Sequence, residues 1–91
     1  MDIEVKHDKE YERFVAEVEG HKAYLSYNIF DDKINFSSTF TPPELRGKGI
    51  AKIIVKYAFN YAKENNLKVI PSCSYVQAFV ERNNNYKDLL A

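Results

Sequence analysis

The chain has 91 residues, of which 45% are apolar and 29% charged. These values predict one globular domain over residues 1–91 rather than a disordered chain. Thirteen basic side chains balance thirteen acidic ones, and a neutral chain is poorly suited to neutralising the phosphates of nucleic acids. No apolar run approaches the ~20 residues of a membrane span, and no secretory signal is recognisable at the N-terminus. Because Cys73 is the single cysteine, an internal disulfide is impossible, and we expect a cytoplasmic protein.

The first 41 residues alternate between apolar and polar side chains with a period of two, which predicts strands. Four strands are expected, at 3–6, 13–18, 22–30 and 33–41, separated by short polar turns. Strands joined by such turns form an antiparallel meander. In the fourth strand, the alternation predicts one face that carries Ile34, Phe36, Ser38 and Phe40.

The hydrophobic period changes to that of a helix after the fourth strand. Apolar residues follow the i, i+3, i+4, i+7 spacing and predict an amphipathic helix over about 49–65. Asn65 and Asn66 are suited to a left-handed cap that ends this helix. The residues of the predicted stripe are Ile50, Ala51, Ile53, Ile54, Tyr57, Ala58, Tyr61 and Ala62.

A fifth strand over 67–73 and a second helix from Ser74 are expected before a tail that packs back onto the protein. Ser74 and Gln77 have the spacing of a capping box. The fourth strand, long helix and fifth strand form a crossover unit, so these two strands are expected to be parallel. The predicted fold class is therefore α/β, a mixed sheet covered by two helices. The predicted buried stripe of the second helix is Tyr75, Val76, Phe79 and Val80.

Pro71 interrupts the fifth strand, because proline has no N–H to donate to a neighbouring strand. We therefore predict that the fourth and fifth strands separate near Pro71. A gap between two parallel strands, open at their C-terminal ends, is a common ligand crevice.

Gly47 and Gly49 lie in the turn between the fourth strand and the long helix. Glycine allows the backbone to expose successive N–H groups, and the positive end of the helix dipole favours an anion beside them. Arg46, Lys48 and Lys52 add positive charge. The pattern favours a phosphate or pyrophosphate ligand, and a tight turn without a ligand is the alternative.

The segment from Arg46 to Ala51 resembles the Arg/Gln-x-x-Gly-x-Gly/Ala signature of the GNAT superfamily of N-acetyltransferases. Over about residues 10–90 the chain is similar to the small single-domain GNAT-like group, which shares the glycine turn, a Pro71-x-Cys73 motif and a tyrosine at the position of Tyr86. The resemblance implies a minimal GNAT-like fold of four antiparallel strands followed by helix, strand and helix. It also implies transfer of acetyl from acetyl-CoA to an amine.

In this family the glycine turn wraps the pyrophosphate of acetyl-CoA, and the pantetheine arm lies between the two parallel strands. The resemblance leaves the acceptor open among a protein lysine, a polyamine and a small amine, and we expect a monomer or weak homodimer. No nucleic acid, membrane or metal is expected as a partner. The cofactor-binding residues that follow from the resemblance are Thr39, Phe40, Thr41, Arg46, Gly47, Lys48, Gly49, Ile50, Ala51, Lys52 and Cys73.

Cys73 and Tyr75 are the candidate catalytic residues. Cys73 precedes the second helix, whose N-terminus favours a thiolate, and the resemblance places it where it would accept the acetyl group; a small buried residue is the alternative. Tyr75 is a candidate proton donor to the leaving thiolate, although its place on the apolar stripe favours core packing. Glu44 is a candidate base, but capping of a helical turn with Thr41, starting at Pro42, explains it more simply.

Two histidines and three departures from the small GNAT-like group bear on activity. His7 and His21 are expected at the surface, without a metal-ligand pattern. The group often has His where Ser38 stands, an acidic residue where Phe40 stands, and His-Pro-Glu at 83–85, where this chain has three asparagines. These departures favour an alternative function, a non-catalytic CoA-binding or protein-interaction module.

Overall fold

A computed structural model describes residues 3–91, so Met1 and Asp2 of the predicted 1–91 domain lie outside the described residues. Five strands form one sheet in chain order, and the first four pair antiparallel. The fifth strand pairs parallel with the fourth, as the crossover unit predicts. The elements are β1 (Val5–Asp8), β2 (Arg13–Val18), β3 (His21–Phe30), β4 (Lys33–Phe40), α1 (Ile50–Glu64), β5 (Lys68–Ile70) and α2 (Ser74–Arg82), with 3₁₀ turns at Pro43–Leu45 and Asn84–Leu89.

Two-residue turns make the β2–β3 and β3–β4 hairpins. Glu19 and Gly20 have φ values of 54° and 80°, and Asp31 and Asp32 have 49° and 61°. Positive φ at both central residues defines the type I′ turn, whose twist matches that of the flanking strands. Gly and Asp tolerate this backbone better than most residues, so the polar turn signals fix the strand register.

The core lies between one face of the sheet and the two helices. Phe59 of α1 is fully buried and contacts three other rings. Its centroid lies 5.3 Å from Phe36 on β4, 5.9 Å from Phe79 on α2 and 5.1 Å from Tyr86 in the C-terminal 3₁₀ turn. This aromatic cluster joins the sheet, both helices and the tail.

The predicted α1 stripe is rotated relative to the buried face. Ile53 and Tyr57 are 37% and 41% exposed, whereas Val55 and Phe59, outside the predicted stripe, are fully buried. The helix bounds agree with the prediction, since Gly49 is the N-cap and Asn65 the C-cap. Asn66 has a left-handed φ of 56°, as predicted for the cap region.

The C-terminal tail packs against β5, as predicted. Leu90 forms a parallel bridge with Val69, and the amide of Ala91 donates to the Val69 carbonyl at 2.8 Å. Lys68 Nζ donates to the Asp88 carbonyl at 2.9 Å. The tail thereby satisfies part of the edge of β5 that would otherwise be open to another chain.

A bulge in β4 overturns the predicted face of that strand. Ser26 pairs with Ser38 while Tyr27 pairs with Phe36, so no residue of β3 lies directly opposite Ser37 in the register. One extra residue reverses the alternation beyond it. Phe40 is consequently 45% exposed and packs against Tyr24, with ring centroids 5.4 Å apart, on the face away from the helices.

Three smaller predictions also need correction. The first strand is displaced by two residues, and β5 ends at Ile70 instead of continuing to residue 73. The capping box at α2 is absent: the N-cap is Cys73, and the Gln77 side chain donates to the Pro71 carbonyl at 2.8 Å instead.

Within residues 3–91, no helix combines the length and apolar character needed to cross a membrane.

Candidate functional site

The glycine turn has the backbone that its sequence predicts. Gly47 and Gly49 have φ values of 79° and 73°, a left-handed region that costs other residues energy. Gly49 is the N-cap of α1. A methyl group added to either glycine would meet no heavy atom within 4 Å, so the surface beside both glycines is open.

Backbone N–H groups are free along this turn. The first four amides of a helix have no partner inside it, and the amide of Ile53 is the first in α1 to find one, the Gly49 carbonyl at 3.3 Å. Within residues 3–91, the amides of residues 47 to 52 have no backbone acceptor. Such unpaired donors at a helix N-terminus bind anions, especially phosphates.

Two polar side-chain contacts link the β2–β3 hairpin to the segment between β4 and α1. Lys48 Nζ lies 3.6 Å from Glu19 Oε2, and His21 Nδ1 lies 3.8 Å from Glu44 Oε1. The predicted capping by Thr41 and Glu44 is wrong, because Pro42 is the N-cap of the 3₁₀ turn and Pro43 its first residue. The Glu44 carboxylate therefore lies beside the His21 imidazole and does not cap a helix end.

Arg46 is held beside the glycine turn by a hydrogen bond to the backbone of Thr41, five residues earlier. Its Nε donates to the Thr41 carbonyl at 3.2 Å while the side chain stays exposed. The Nε–H group of Arg46 thus fixes the side chain, and the remaining N–H donors of the guanidinium are available to an anion. Arg46 therefore places a positive charge beside the glycine turn.

β4 and β5 separate where Pro71 predicts. Their last paired residues are Asn35 and Ile70, and β4 continues to Phe40 without β5 beside it. The amide of Cys73 donates to the Phe36 carbonyl at 3.0 Å. Beyond this bond β4 continues to Phe40 with no strand paired on this side, and the C-terminal end of β4 is the expected place for a ligand.

Cys73 lies at this gap, as the N-cap of α2. It is 9% exposed, and its Sγ lies 3.6 Å from Thr39 Oγ1. Burial raises the pKa of the Cys73 thiol, but the Thr39 hydroxyl and the backbone N–H groups of Val76, Tyr75 and Thr39 more than offset it. The net pKa is below its usual value, so this thiol forms a nucleophilic thiolate more readily than an ordinary cysteine.

A depression of about 330 Å³ covers the glycine turn. Tyr75 lines it and is 39% exposed, so the expectation of core packing for this side chain is wrong. Burial raises the pKa of the Tyr75 phenol, and the nearby charge of Arg82 partly opposes that rise. The other lining residues are Thr41, Leu45, Arg46, Gly47, Gly49, Ile50 and Ala51.

A larger depression, of about 610 Å³, lies over β1–β3. Its side chains carry charges of both signs, and it includes neither the glycine turn nor Cys73. Size alone would select it as the ligand site. The smaller depression over the turn has the unpaired amides, and we regard it as the ligand site for that reason.

Comparison with known proteins decides the family. Residues 13–89 match the family described as GCN5-related N-acetyl-transferase. The chain belongs to this family. It is 33% identical over 84 residues to Protein NATD1 of Homo sapiens, with 89% of this chain and 74% of that protein covered.

Other relatives are equally distant, and one has a solved structure. Protein NATD1 of Danio rerio is 34% identical over 84 residues, which cover 89% of this chain and 76% of the relative. The solution NMR structure of a GCN5-like protein from Staphylococcus aureus is 32% identical, with a TM-score of 0.76. The similarity covers 97% of this chain and 87% of the other, so the GNAT-like fold is shown along nearly the whole chain.

The fold of this family member brings together most of the predicted binding residues. The turn residues and Tyr75 line one depression, and Thr39 contacts Cys73 across the neighbouring gap. Lys48 is engaged by Glu19. The side chain of Phe40 lies on the opposite face of the sheet, so only its backbone remains available to a ligand in the gap.

Sequence reasoning missed Arg82. This exposed residue lines a second depression together with Lys52 and Tyr75. The helical spacing of Tyr75, Phe79 and Arg82 contains the signal, because residues at i, i+4 and i+7 share a face. The sequence pattern predicts Tyr75 as a buried residue, and for that reason it does not indicate an exposed face of α2 that includes Arg82.

His7 is part of an aromatic cluster and is not a simple surface residue. Its ring stacks on Phe14 at 4.5 Å and meets the edge of Tyr61 at 4.5 Å. Its Nε2 also hydrogen bonds with the Tyr27 hydroxyl. The alternation in the first strand was too short to show that His7 shares the face of Phe14, its partner on β2.

Proposed function

We propose that the protein is an N-acetyltransferase that uses acetyl-CoA as its acyl donor and an amine as its acceptor. One observation carries this proposal: the free amides of residues 47 to 52 and the gap beside Cys73 lie at the same end of β4. The first feature suits a pyrophosphate and the second suits a narrow chain that ends in a thioester. Family membership supports the same conclusion.

The residues present fit acetyl-CoA along its length. The amides of Gly47 to Lys52 would hold the pyrophosphate, and Arg46 would add a charge-assisted hydrogen bond. The backbone of Thr39, Phe40 and Thr41, which has no β5 partner, would bind the pantetheine amides. Ile50 and Ala51 line the depression between these two parts.

Cys73 has the properties of a nucleophile for a two-step transfer. Its thiolate would attack the acetyl carbonyl, the bond from that carbonyl to the CoA sulfur would break, and CoA would leave as a thiolate. The acceptor amine would then attack the acetyl-cysteine, returning the Cys73 thiolate and losing a proton to solvent. The alternative is direct attack by the amine on acetyl-CoA: the bond from the acetyl carbon to the amine nitrogen forms, its bond to the CoA sulfur breaks, and the amine loses a proton, without any bond to Cys73.

Tyr75 is the proposed proton donor. Burial raises the pKa of its phenol, so the group stays protonated at neutral pH and can protonate a departing thiolate. Its hydroxyl lies on a side chain that lines the ligand depression and is partly exposed. Tyr75→Phe is expected to lower turnover while retaining acetyl-CoA binding.

The acceptor is proposed to be an amine presented from outside, such as a protein lysine, a polyamine or a small amine. The face of the sheet opposite the helices carries the exposed ring of Phe40 and, packed against it, the half-buried ring of Tyr24. An open approach of this kind admits an extended acceptor as well as a small one.

The function is tested by titrating acetyl-CoA while following the melting temperature, then measuring acetyl transfer to a panel of amines. Saturable stabilisation is expected, since a ligand that binds the native state raises stability by mass action. Intact mass before acceptor is added separates the two routes. An added acetyl group that is absent in Cys73→Ala supports the relay, whereas unchanged turnover in Cys73→Ala supports direct attack.

A CoA-binding module without turnover is the second candidate, and one observation favours it. Within residues 3–91, the side-chain hydrogen bond of Cys73 goes to Thr39, and no imidazole or carboxylate is bonded to the sulfur. A general base is therefore not in place beside the thiol. Saturable binding of acetyl-CoA, with no transfer to any amine and no acetylated Cys73, would identify the module.

A further inference from the structure

A depression lies on the surface of α1, along the last two turns of the helix. Its volume is about 330 Å³, and Tyr57, Asn60, Tyr61 and Glu64 line it. These residues stand at positions i, i+3, i+4 and i+7 of a helix and therefore share one face. This tyrosine depression includes no residue of the glycine turn and does not include Cys73.

Packing against the core fixes both rings of the tyrosine depression. Phe14 is fully buried, and its ring centroid lies 5.7 Å from that of Tyr57 and 5.4 Å from that of Tyr61, both in edge-to-face contacts. Tyr61 also makes an edge contact with His7 at 4.5 Å. Tyr57 nevertheless remains 41% exposed, and Tyr61 is half-buried. Two rings held in place by the core thus present aromatic surface to solvent.

The electrostatics of the tyrosine depression favour a cation. Glu64 is exposed, and the ion pairs within residues 3–91 are made by other residues. Tyr61 and Glu64 lie in the last turn of α1, where the negative end of the helix dipole attracts positive charge. The faces of aromatic rings attract cations as well. The basic residue of that turn, Lys63, lines a different depression.

An organic cation fits this lining better than a metal ion. Within the part of the chain that the structure describes, no three His, Cys, Asp or Glu side chains are grouped as metal ligands, and hard metal ions require several oxygen ligands. An alkylammonium group requires less, because its charge interacts with ring faces and its N–H groups donate to a carboxylate or an amide oxygen. Asn60 and Glu64 supply such acceptors beside the two rings.

We propose that the tyrosine depression binds an alkylammonium group, with its charge against the rings of Tyr57 and Tyr61 and its N–H groups on Glu64. Because a helix rises ~1.5 Å per residue, Glu64 lies about 20 Å along α1 from Ile50, which follows the glycine turn. An amine bound there is remote from a ligand held by the amides of that turn. The inference goes beyond acetyl transfer, since it gives the protein an amine site that does not require acetyl-CoA.

The site is tested by NMR spectroscopy of the amides of isotope-labelled protein, without acetyl-CoA. Spermidine is titrated at constant ionic strength, because salt screens exposed charges, and Nα-acetyl-lysine amide is titrated in parallel. The first ligand presents alkylammonium groups as a free polyamine and the second as a protein side chain, so the pair distinguishes these two sources. A diol of similar length to spermidine is the uncharged control.

Three variants test the lining. Glu64→Gln removes the carboxylate charge, and Tyr57→Leu removes a ring while keeping an apolar side chain. Glu81→Gln is the matched control, since Glu81 is an exposed acidic residue in the last turn of α2. Glu64→Gln and Tyr57→Leu should each weaken spermidine binding about threefold, the size of one exposed ion pair or cation–π contact. Glu81→Gln should behave as wild type.

Saturable shifts are expected in the amides of residues 57–64 with spermidine and not with the diol. Comparable shifts with the lysine derivative would identify a protein side chain as a source of the group, and shifts with spermidine alone would identify a free polyamine. Absence of shifts with either amine would overturn the site, as would equal weakening in Glu64→Gln and Glu81→Gln, which net charge explains. Shifts confined to the surroundings of Cys73 would also overturn it, because the amine would then occupy the acceptor site of the proposed function.

Discussion

The hydroxyl of Thr39 lies 3.6 Å from the sulfur of Cys73 and joins β4 to the start of α2 across the gap between β4 and β5. The two residues are 34 positions apart in the chain. Because the bulge at Ser37 reverses the alternation of β4, Thr39 faces the helices, where it can reach the thiol. The bulge therefore allows the Thr39 hydroxyl to lower the pKa of the Cys73 thiol.

Replacing Thr39 by valine is expected to make Cys73 less reactive. The hydroxyl lowers the pKa of the thiol against the larger opposing effect of burial, so its loss raises the pKa and leaves less thiolate near neutral pH. Alkylation by iodoacetamide at pH 7 should slow by about threefold, the size of one modest hydrogen bond. Thr39→Ser keeps the hydroxyl and serves as the control. Equal alkylation rates for Thr39→Val and wild type across the pH range would show that the hydroxyl does not tune the thiol.

Alanine at Gly47 or Gly49 is expected to affect ligand binding more than stability. Both glycines have a left-handed φ near 75°, and a side chain there costs about 1 kcal/mol. A new methyl group meets no protein atom within 4 Å, but it would stand on the open surface beside the free amides. Affinity for acetyl-CoA should therefore fall at least tenfold, while the melting temperature falls by only ~4–8 °C.

Gly20→Ala provides a matched control for these two variants. Gly20 has a φ of 80° and the same open space around its Cα, but it lies in the β2–β3 turn. Its substitution should lower the melting temperature by a similar amount and leave the acetyl-CoA dissociation constant within twofold. A comparable loss of affinity in all three variants would mean that backbone strain, and not the open face of the turn, governs binding.

Removing the charge of Glu19 is expected to strengthen anion binding. Glu19 Oε2 lies 3.6 Å from Lys48 Nζ, so it competes with a bound pyrophosphate for this cation. Glu19→Gln should tighten CoA binding by about two- to threefold at low salt, with little change in stability, because exposed ion pairs contribute only ~0–1 kcal/mol. The gain should shrink as salt is raised.

Glu17→Gln makes the same charge change on a different surface. Glu17 is exposed and lines the depression over β1–β3, away from the glycine turn. Its CoA affinity should match that of the wild type at every salt concentration. If the two variants gain affinity equally, the effect comes from net charge and not from release of Lys48.

The sequence predicts the sheet and the turn well because their signals are local. Alternation, the two polar hairpin turns and the glycines each act within a few residues, and these features lie where they were predicted. Pro71 predicts the end of β4–β5 pairing because a missing N–H has a direct effect on the ladder. Strand ends are less certain, as the two-residue displacement of β1 shows.

The site was harder to predict because it depends on contacts between distant residues. Nothing in the sequence of β4 marks Ser37 as the bulge, so the faces of Thr39 and Phe40 were assigned the wrong way round. Tyr75 fits an apolar stripe, yet it lies at the edge of the interface and is 39% exposed. Tertiary packing decides which face Thr39 and Phe40 take and how far Tyr75 is exposed, and hydrophobic periodicity in the sequence does not predict such packing.

The stability of the protein is expected to depend on pH through His7. Burial, followed by the charge of Lys9, lowers the pKa of His7, and Asp8 opposes this shift only weakly. The folded pKa is thus below the unfolded one, which is about 6.5. The unfolded chain therefore binds more protons than the native protein as the pH falls through and below that value. The free energy of unfolding should decrease with falling pH over this window.

His7→Phe removes the titrating group while keeping an aromatic ring next to Phe14 and Tyr61. Urea unfolding at pH 7 and pH 5 should then show a smaller loss of stability for His7→Phe than for wild type. His21→Phe is the control for a general change in charge, because it replaces the second of the two histidines, which lies beside Glu44. An identical pH dependence in wild type and His7→Phe would mean that protonation of His7 is not linked to unfolding, and that the aromatic cluster accommodates the charged ring as readily as the neutral one.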